Sequence, residues 1–564
     1  MMITAFADIP QHSEASLHAA TYTVRGKLLR TTSGLEPYAG PWNELTAAHL
    51  LRRTMYGPKR SEILSAASSS LDTVLTQLFA PPPAHPIPPD PNVPGRDWTV
   101  GPYSDIVQIN YQYDFAIKKW WVGLMLTQGI SVVEKMTLLL HNHFASQASI
   151  VGDARYMYKQ NTLFRQFALG NLKELTKAVT IDPAMLVYLN GFLNKIPTPD
   201  ENYARELQEL FTIGKGPEIA DGNYTNYTEQ DVKAAARVLT GWTVHHTSNP
   251  PASVFIQKNH DSGSKQFSSA YQNTIIKPTL NPDGTMNSSK EISDLIEMIF
   301  LQPATAQCFC RKLYRWFVYY DIDDTVEQNV IAPLADIMMK NNFEVKPVLD
   351  TLFRSAHFFD PNNIGCVIKN PVEFAVGTAR RLNLPLPGFA DPEFVKVTDA
   401  LRDTAWSLQM DLLEPPNVAG WPAYHQAPDY HEIWINTTAL PTRGKFIDNV
   451  LNGIHPQGST TTYKIDPVAY AATMSNPSDP FKFVDEITSD LLPPIEGGAA
   501  ITPEQKNYLL YNVMGLVQND EYEWTANWNN AQKNPPDSAA LMTVTKTLKA
   551  LLRFVMRMAE FQLT

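Results

Sequence analysis

The stretch PDENYARELQELFTIG, residues 199–214, combines the apolar spacing of a helix with many charged side chains. At 100° per residue, Tyr203, Leu207 and Leu210 fall on one helical face, as expected for a helix that packs on a core. The neighbouring positions carry carboxylates, an amide and a guanidinium. Such a helix is either solvated on its polar side or presents carboxylates into a pocket, and the functional interpretation depends on which of the two holds.

Helical spacing of apolar residues recurs along the chain, whereas alternating strand patterns are few and weak. The helical pattern is clear in residues 134–147, 229–242, 292–320 and 541–562. The sequence therefore predicts an all-α fold: a large multi-helix bundle with a small N-terminal helical unit and two long surface loops. At most one short β-hairpin is expected, at residues 253–258 and 269–278.

Breaks in composition predict four segments. Residues 1–80 are expected to form an N-terminal helical segment, and the proline-rich residues 81–97 a linker, because proline interrupts helices. Residues 98–450 are expected to form the main helical domain. Residues 451–564 are expected to form a C-terminal helical region packed on the main body.

Charge and length exclude several classes of protein. The chain has 564 residues and a net charge of −11, which argues against a nucleic-acid partner. No stretch is apolar and long enough to span a bilayer, and the N-terminus has no signal-peptide pattern. We therefore expect no transmembrane segment and a cytoplasmic location, with export by an unrecognised route as the alternative.

The polar side of the 199–214 helix supplies candidate catalytic groups. Asn202, Glu206 and Glu209 form a stripe beside the apolar face, and Arg205 lies farther round. The hypothesis assigns catalysis to Glu206, Glu209 and Arg205, and substrate binding to Asn202. The alternative is a solvated, ion-paired face, which is what runs of charge usually form.

Histidines supply the candidate metal ligands. His141 and His143, in the motif HNHF, are two residues apart and cannot face one direction on a regular helix. His260 and Asp261 lie in the polar loop of residues 243–290. Imidazole and carboxylate are common ligands of divalent metals, so these four residues are the predicted metal site, with His141 also a catalytic base. The alternative is a core histidine, a surface histidine and a solvated loop.

Three further residues are predicted to bind substrate. Arg53, at the end of a helical pattern, suits an anionic group. Asn417 and Trp421 lie in EPPNVAGWP, residues 414–422, inside the second long loop at 412–434. Prolines stiffen this loop, which suits either a binding wall or a wedge between helices.

Familiar catalytic motifs are missing. The sequence has no G-x-S-x-G, Walker A, G-x-G-x-x-G, HExxH or CxxC pattern. Their absence argues against common hydrolases, nucleotide enzymes, zincins and thiol-redox proteins. A site built from histidine, carboxylate and metal stays open.

The motifs in order resemble the bacterial family catalogued as domain of unknown function eighteen hundred (DUF1800), from about residue 45 to about 450. The blocks are AAHLLRRTMYGP, EKMTLLLHNHF, FRQFALGNLKEL, DPAMLVYLNG, ENYARELQELFTIGKG, YTEQDVKAAARVLTGW, CRKLYRWFV, IKNPVEF and EPPNVAGWP. YTNYTEQDV and KLYRWFVYY look most similar to members from Bacteroidetes. The resemblance implies a mostly helical fold and, as a partner, the sulfatase-related protein often encoded beside family members. It implies no activity.

Two functions follow as hypotheses. The first is a metal-dependent hydrolase or transferase, in which the carboxylates and histidines meet in one pocket around a divalent metal ion. The second is a non-catalytic binding or assembly protein of the same fold, whose buried ion pairs are structural.

Overall fold

The structure is a computed structural model that describes residue 31 and residues 33–220, 223–494 and 498–564. The predicted lack of a signal peptide concerns residues that lie outside this described part. So does much of the predicted N-terminal segment, and the division into four segments stays a prediction.

Helices dominate the described residues, which confirms the predicted all-α fold. The α-helices are α1 Glu44–Thr54, α2 Arg60–Ala67, α3 Leu71–Leu78, α4 Val107–Thr127, α5 Val133–His143, α6 Ala148–Val151, α7 Ala154–Gln166, α8 Leu172–Thr180, α9 Pro183–Tyr188, α10 Asn202–Glu206, α11 Glu229–Val238, α12 Ser288–Phe300, α13 Pro303–Phe317, α14 Asp324–Val326, α15 Ala332–Lys340, α16 Val345–Arg354, α17 Pro371–Arg381, α18 Pro392–Ser407, α19 Ala439–Asn452, α20 Pro467–Ala471, α21 Pro480–Leu491, α22 Pro503–Tyr508, α23 Tyr522–Ala531 and α24 Ser538–Arg557.

Several helical segments depart from α geometry. The π-helical segments are Leu207–Phe211, Glu327–Ile331 and Leu509–Val513. Short 3₁₀ turns occur at Gly191–Leu193, Gln257–Asn259, Ser269–Tyr271, Pro361–Asn363, Pro422–Tyr424, Tyr430–Trp434 and Glu560–Gln562. The first π-helical segment continues α10, so the helix predicted within residues 199–214 changes from α to π winding halfway.

The strands are short and pair in a way the sequence did not predict. They are β1 Glu218–Ala220, β2 Asn223–Tyr224, β3 Trp242–Val244, β4 Ser253–Phe255, β5 Lys265–Gln266 and β6 Ile275–Ile276. Each consecutive pair is antiparallel, which makes three small hairpins in the described residues instead of at most one. The expected segments do contain strands, but β4 pairs with β3 and β6 with β5, not with each other.

Many helices begin with the same two-residue signal. An Asp, Asn or Thr side chain accepts a hydrogen bond from the first turn, and proline occupies the next position, where its missing N–H costs nothing. The pairs are Asp182–Pro183, Asn370–Pro371, Asp391–Pro392, Asp466–Pro467, Asp479–Pro480 and Thr502–Pro503. These starts are therefore encoded locally.

One cluster of buried apolar side chains runs from Ala47 in α1 to Phe561 near the end of the described chain. Within it α5 packs on α7, α13 on α15, and α17 on α18. At one seam Gly57, with φ of 60°, approaches α17 so closely that a Cβ there would lie 2.3 Å from the Cα of Gly377. Arg53 joins the end of α1 to the end of α13 through the Phe317 carbonyl, and Lys135 in α5 pairs with Glu373 in α17.

No helix in the described ranges combines the length and the apolar character needed to cross a bilayer. The three cysteines, Cys308, Cys310 and Cys366, form no disulfide bond with one another.

Candidate functional site

The predicted metal ligands His260 and Asp261 belong to separate ion-pair networks. His260 is buried, with Nδ1 2.8 Å from the Thr240 carbonyl oxygen and Nε2 3.2 Å from Glu291 Oε1. Asp261 instead accepts two hydrogen bonds from Arg237, at 2.7 and 3.1 Å. Both side chains are occupied by protein partners.

His141 lies in an aromatic enclosure. Its ring centroid is 5.9 Å from that of Trp121, 6.2 Å from that of Phe164 and 5.8 Å from that of Trp421. Burial, and then the charge of Lys118, lowers the pKa of His141 to about 3. The ring is therefore neutral at physiological pH and packs as a core group.

His143 points into a different environment. Its Nδ1 accepts a hydrogen bond from Lys312 Nζ at 2.9 Å, and the same ammonium donates to the Leu210 carbonyl at 2.6 Å. Burial, and then the charge of Lys312, lowers the pKa of His143 well below its ordinary value. His143 and Lys312 thus tie α5 and α13 to the π-helical segment.

The four predicted ligands therefore do not assemble into the expected metal site. Among the described residues no group of three or more His, Cys, Asp or Glu side chains is arranged to hold a metal ion. The physical reason is partly visible in the spacing, because residues two apart on a helix point to different sides. The remaining reason is tertiary, since His260 and Asp261 are bound by Glu291 and Arg237.

The predicted catalytic carboxylates also have local partners. Glu209 accepts from Lys215 Nζ at 2.7 Å and from the Tyr227 hydroxyl at 3.1 Å. Glu206 is half-buried, and burial, followed by the nearby Glu209 charge, raises its pKa. Its carboxylate makes no hydrogen bond within the part of the chain that the structure describes.

Arg205 and Asn202 stabilise the same helix. Arg205 forms a two-point ion pair with Glu229, with Nη2 2.8 Å from Oε2, and lies 3.4 Å from Glu201. Asn202 Nδ2 donates to the Leu189 carbonyl at 3.2 Å. These contacts hold α10 against α11 and α9, which is a structural use of both side chains.

The loop of residues 414–422 is a wedge between elements. Trp421 is buried, and its backbone N–H donates to Asn142 Oδ1 at 2.8 Å. Gly420, with φ of 89°, leaves no room for a Cβ, which would lie 2.3 Å from that oxygen. Asn417 is exposed and accepts from the Ala419 N–H at 2.9 Å, closing its own turn. Of the two interpretations of this loop, the geometry supports the wedge for Trp421.

Arg53 lines a cleft that is separate from the predicted metal site. It is buried, and its Nε and Nη2 donate to the Phe317 and Trp316 carbonyls at 2.9 and 3.1 Å, at the C-terminal end of α13. Its guanidinium also lines a cleft between the ends of α1, α13 and α17 and the loop at 420–434. We call this the arginine cleft, and its polar lining includes Arg53, Lys135, Arg315, Trp316, Glu373 and His431.

The arginine cleft carries more positive than negative charge. Lys135 forms a buried ion pair with Glu373. Neither Arg53 nor Arg315 has a carboxylate within ion-pair distance among the described residues. Arg315 donates from Nε to the Tyr320 carbonyl at 3.2 Å and lies over the Tyr430 ring, with Cζ 5.6 Å from its centroid. Three cations thus face one anion.

Two N–H donors in the arginine cleft have no acceptor. His431 Nδ1 accepts from the Ile368 N–H at 3.3 Å, so the hydrogen of the neutral ring sits on Nε2. Burial, and then Arg53, lowers the pKa of His431 to about 4. His431 Nε2 and Trp316 Nε1 are buried without a partner in the described structure, in side chains that are only 8% and 7% exposed.

The free volume at the centre of the arginine cleft is about 20 Å³. This is room for one or two waters or for the head of a small ion. The cleft can therefore receive a charged group at the end of a ligand, but not a whole ligand of drug size.

Sequence reasoning found Arg53 and the 412–434 loop but missed the other members of the arginine cleft. Arg315 is one of three basic residues close together on a helix, with Arg311 and Lys312, and the pattern does not single it out. Nothing local marks His431 or Trp316. A usable signal was the lysine in EKMTLLL, since Lys135 lies inside an apolar helical run and must find a buried partner.

The comparisons with known proteins agree with the motif blocks. A family model described as "Protein of unknown function (DUF1800)" matches residues 49–563. No curated protein matches the chain, and no solved structure matches it. Function is therefore inferred from the geometry.

Proposed function

Because the chain belongs to the DUF1800 family, whose description names no activity, we propose from the geometry that it is a binding protein. Its arginine cleft takes an anionic head group of carboxylate size. Its other ion pairs, including those of Arg205, Glu209, His260 and Asp261, hold neighbouring segments in place.

The observation that carries this proposal is the coincidence of unmatched charge and unmatched donors. A buried N–H without an acceptor costs about 1–3 kcal/mol, and Trp316 and His431 each supply one. Water would satisfy these two donors but would leave the surplus charge of Arg53 and Arg315 in place. An anion would accept hydrogen bonds from both donors and also neutralise the surplus positive charge.

The size and the donor geometry favour a carboxylate. Two oxygens on one carbon fit the planar fork of a guanidinium, and the small free volume excludes bulkier groups. The ligand that bears the carboxylate extends past Tyr320 or Arg315, which are among the partly exposed members of the lining.

The metal-dependent hydrolase or transferase is less well supported. Its groups are dispersed over separate networks, and each except Glu206 and His141 is held by a protein partner. The second hypothesis, a binding protein with structural ion pairs, matches these contacts.

The test is isothermal titration of sodium formate into the protein, with sodium chloride at equal ionic strength as the reference. Arg315→Gln removes one charged donor and weakens formate binding about tenfold or more, because such a hydrogen bond contributes about 1.5–3 kcal/mol. Arg311→Gln is the matched control, since Arg311 lies one turn earlier on α13 and forms a two-point pair with Glu327, at 2.9 and 2.6 Å. Equal formate affinity in both variants, or none in the wild type, would refute the proposal.

A further inference from the structure

A second concave site lies away from the arginine cleft, between α18 and the end of α19. Its free volume is about 390 Å³, within the range of about 300–1,000 Å³ typical of ligand pockets. Phe446, Ile454 and Ala400 form an apolar floor, and Phe446 and Ile454 are only 4% and 8% exposed. We call this the α18 groove.

The acidic side of the α18 groove is already neutralised. Asp399 and Asp403 line it, and Arg402 reaches both carboxylates, at 2.9 and 2.5 Å. Lys119 Nζ lies 2.9 Å from Asp399 as well. Two anions and two cations leave the groove without net charge, which favours an uncharged ligand over a cationic one.

The opposite side of the α18 groove presents free amides. Asn449 and Gln457 line it and are exposed, and their side chains make no hydrogen bond within the described ranges. An amide offers both a donor and an acceptor. Together with the carboxylate of Asp403, they can bind hydroxyl groups, which also donate and accept.

The helix that forms one wall of the α18 groove carries an exposed tryptophan beyond the lining residues. Trp406 on α18 is 58% exposed, which is unusual for so large an apolar ring. It follows Asp399 by seven positions and therefore lies within about 20° of it on the helix. Helical side chains lean toward the N-terminus of their helix, so the ring leans back along α18 beside Asp399 and Asp403, outside the residues that line the groove.

We propose that the α18 groove binds a neutral oligosaccharide. A sugar ring has one apolar C–H face, which stacks on the electron-rich face of an indole, and a rim of hydroxyls for amides and carboxylates. Trp406 supplies the stacking surface, and Asn449, Gln457 and Asp403 supply the polar contacts. This site is independent of the arginine cleft and of the function proposed for it.

The experiment is affinity titration of the full chain with cellohexaose, maltohexaose, xylohexaose, laminarihexaose and chitohexaose as probes. We expect at least one probe to bind, and Trp406→Ala to weaken that binding about tenfold or more, the equivalent of about 1.4 kcal/mol. Trp406→Phe retains part of it, and Asn449→Ala weakens it independently of the aromatic ring.

Tyr522→Ala is the control, because Tyr522 is a 75% exposed aromatic on another helix, α23. It leaves sugar binding unchanged. The proposal is overturned if no probe binds the wild type at millimolar concentration, or if Trp406→Ala and Tyr522→Ala bind alike. Salt-sensitive binding of hexalysine in place of every sugar would also overturn it, by assigning the groove to cationic peptides.

Discussion

Two buried polar regions of this protein resemble each other in composition but differ in how their charges are matched. In the Glu291 network, Lys265 Nζ lies 2.5 Å from one carboxylate oxygen and His260 Nε2 3.2 Å from the other, and all three side chains are completely buried. In the arginine cleft, no described carboxylate pairs with Arg53 or Arg315, and two N–H groups find no acceptor among the described residues. Buried charge alone therefore does not mark a ligand site. Charge that the protein itself leaves unmatched is the better indicator.

The strongest way to break this comparison is to unbalance the Glu291 network. Glu291→Ala leaves Lys265 as a buried cation without its counter-ion, so we expect a loss of about 3–5 kcal/mol of unfolding free energy. Guanidinium chloride denaturation measures it. The control is Glu174→Ala, where the carboxylate paired with Lys177 is 52% exposed and about 1 kcal/mol or less is lost. Equal losses in the two variants would mean that the network is not closed in the way described.

A buried carboxylate outside both regions tests the opposite sign of charge. Burial raises the pKa of Asp114 to about 7 from an ordinary 3.8, and its Oδ1 has no partner in the described chain. Folding stability is therefore lost as pH rises between these two values. Asp114→Asn should gain about 1–3 kcal/mol at pH near 8 and progressively less toward pH near 5. Urea denaturation at both pH values checks this, and a gain independent of pH would contradict it.

The arginine cleft predicts an acid-sensitive stability. His431 stays neutral when folded, with a pKa lowered to about 4 from 6.5, so its contribution is present above pH 6.5 and is lost as pH falls toward 4. His431→Asn keeps an acceptor for the Ile368 N–H and removes the titrating ring. We expect the wild type to lose about 1–2 kcal/mol more than the variant over this window. Urea denaturation across that pH range measures it, and parallel pH profiles would refute the assignment.

The smallest predicted change in stability distinguishes Glu206, at the end of α10, from Glu209, in the π-helical segment that follows. Burial raises the pKa of Glu206, so folding of the protein becomes less favourable as pH rises above 4.5. Glu206→Gln should therefore stabilise the protein by about a few tenths of a kcal/mol at pH near 7. Glu209→Gln should destabilise it slightly, because Lys215 and Tyr227 lose a charged acceptor and keep at most a neutral amide oxygen. Thermal unfolding of the two variants side by side checks the opposite signs. A shared sign would show that both carboxylates have the same surroundings.

Most of the fold could be predicted from local sequence pattern. Helix starts such as Asp479–Pro480 and the capping box of Thr228 with Asp231 are encoded by residues within one turn of each other, and the structure contains them. The prediction of a stripe of Asn202, Glu206 and Glu209 assumed 100° per residue throughout. The π-helical segment Leu207–Phe211 instead adds one residue to a turn, which the sequence pattern did not indicate.

The candidate site was harder to predict than the fold, because it depends on partners far apart in sequence. Lys135 and Glu373 are neighbours only in the folded chain, and the orphan donor of His431 exists only because no acceptor reaches it. A single sequence shows which groups can ionise. It does not show which of them remain without a partner after folding.

The contact between Gly57 and Gly377 limits how this protein can be recombined. The backbone of Gly377 occupies the space where residue 57 would carry a Cβ, whereas a Cβ on residue 377 would lie 3.4 Å from Gly57, at ordinary contact distance. A side chain at position 57 therefore cannot be accommodated by trimming residue 377, which is already glycine. A chimera that joins the first helices of one family member to the remainder of another keeps this joint only if the first parent has glycine at position 57. Crossover points that inherit both halves from one parent avoid the problem and should yield folded hybrids more often.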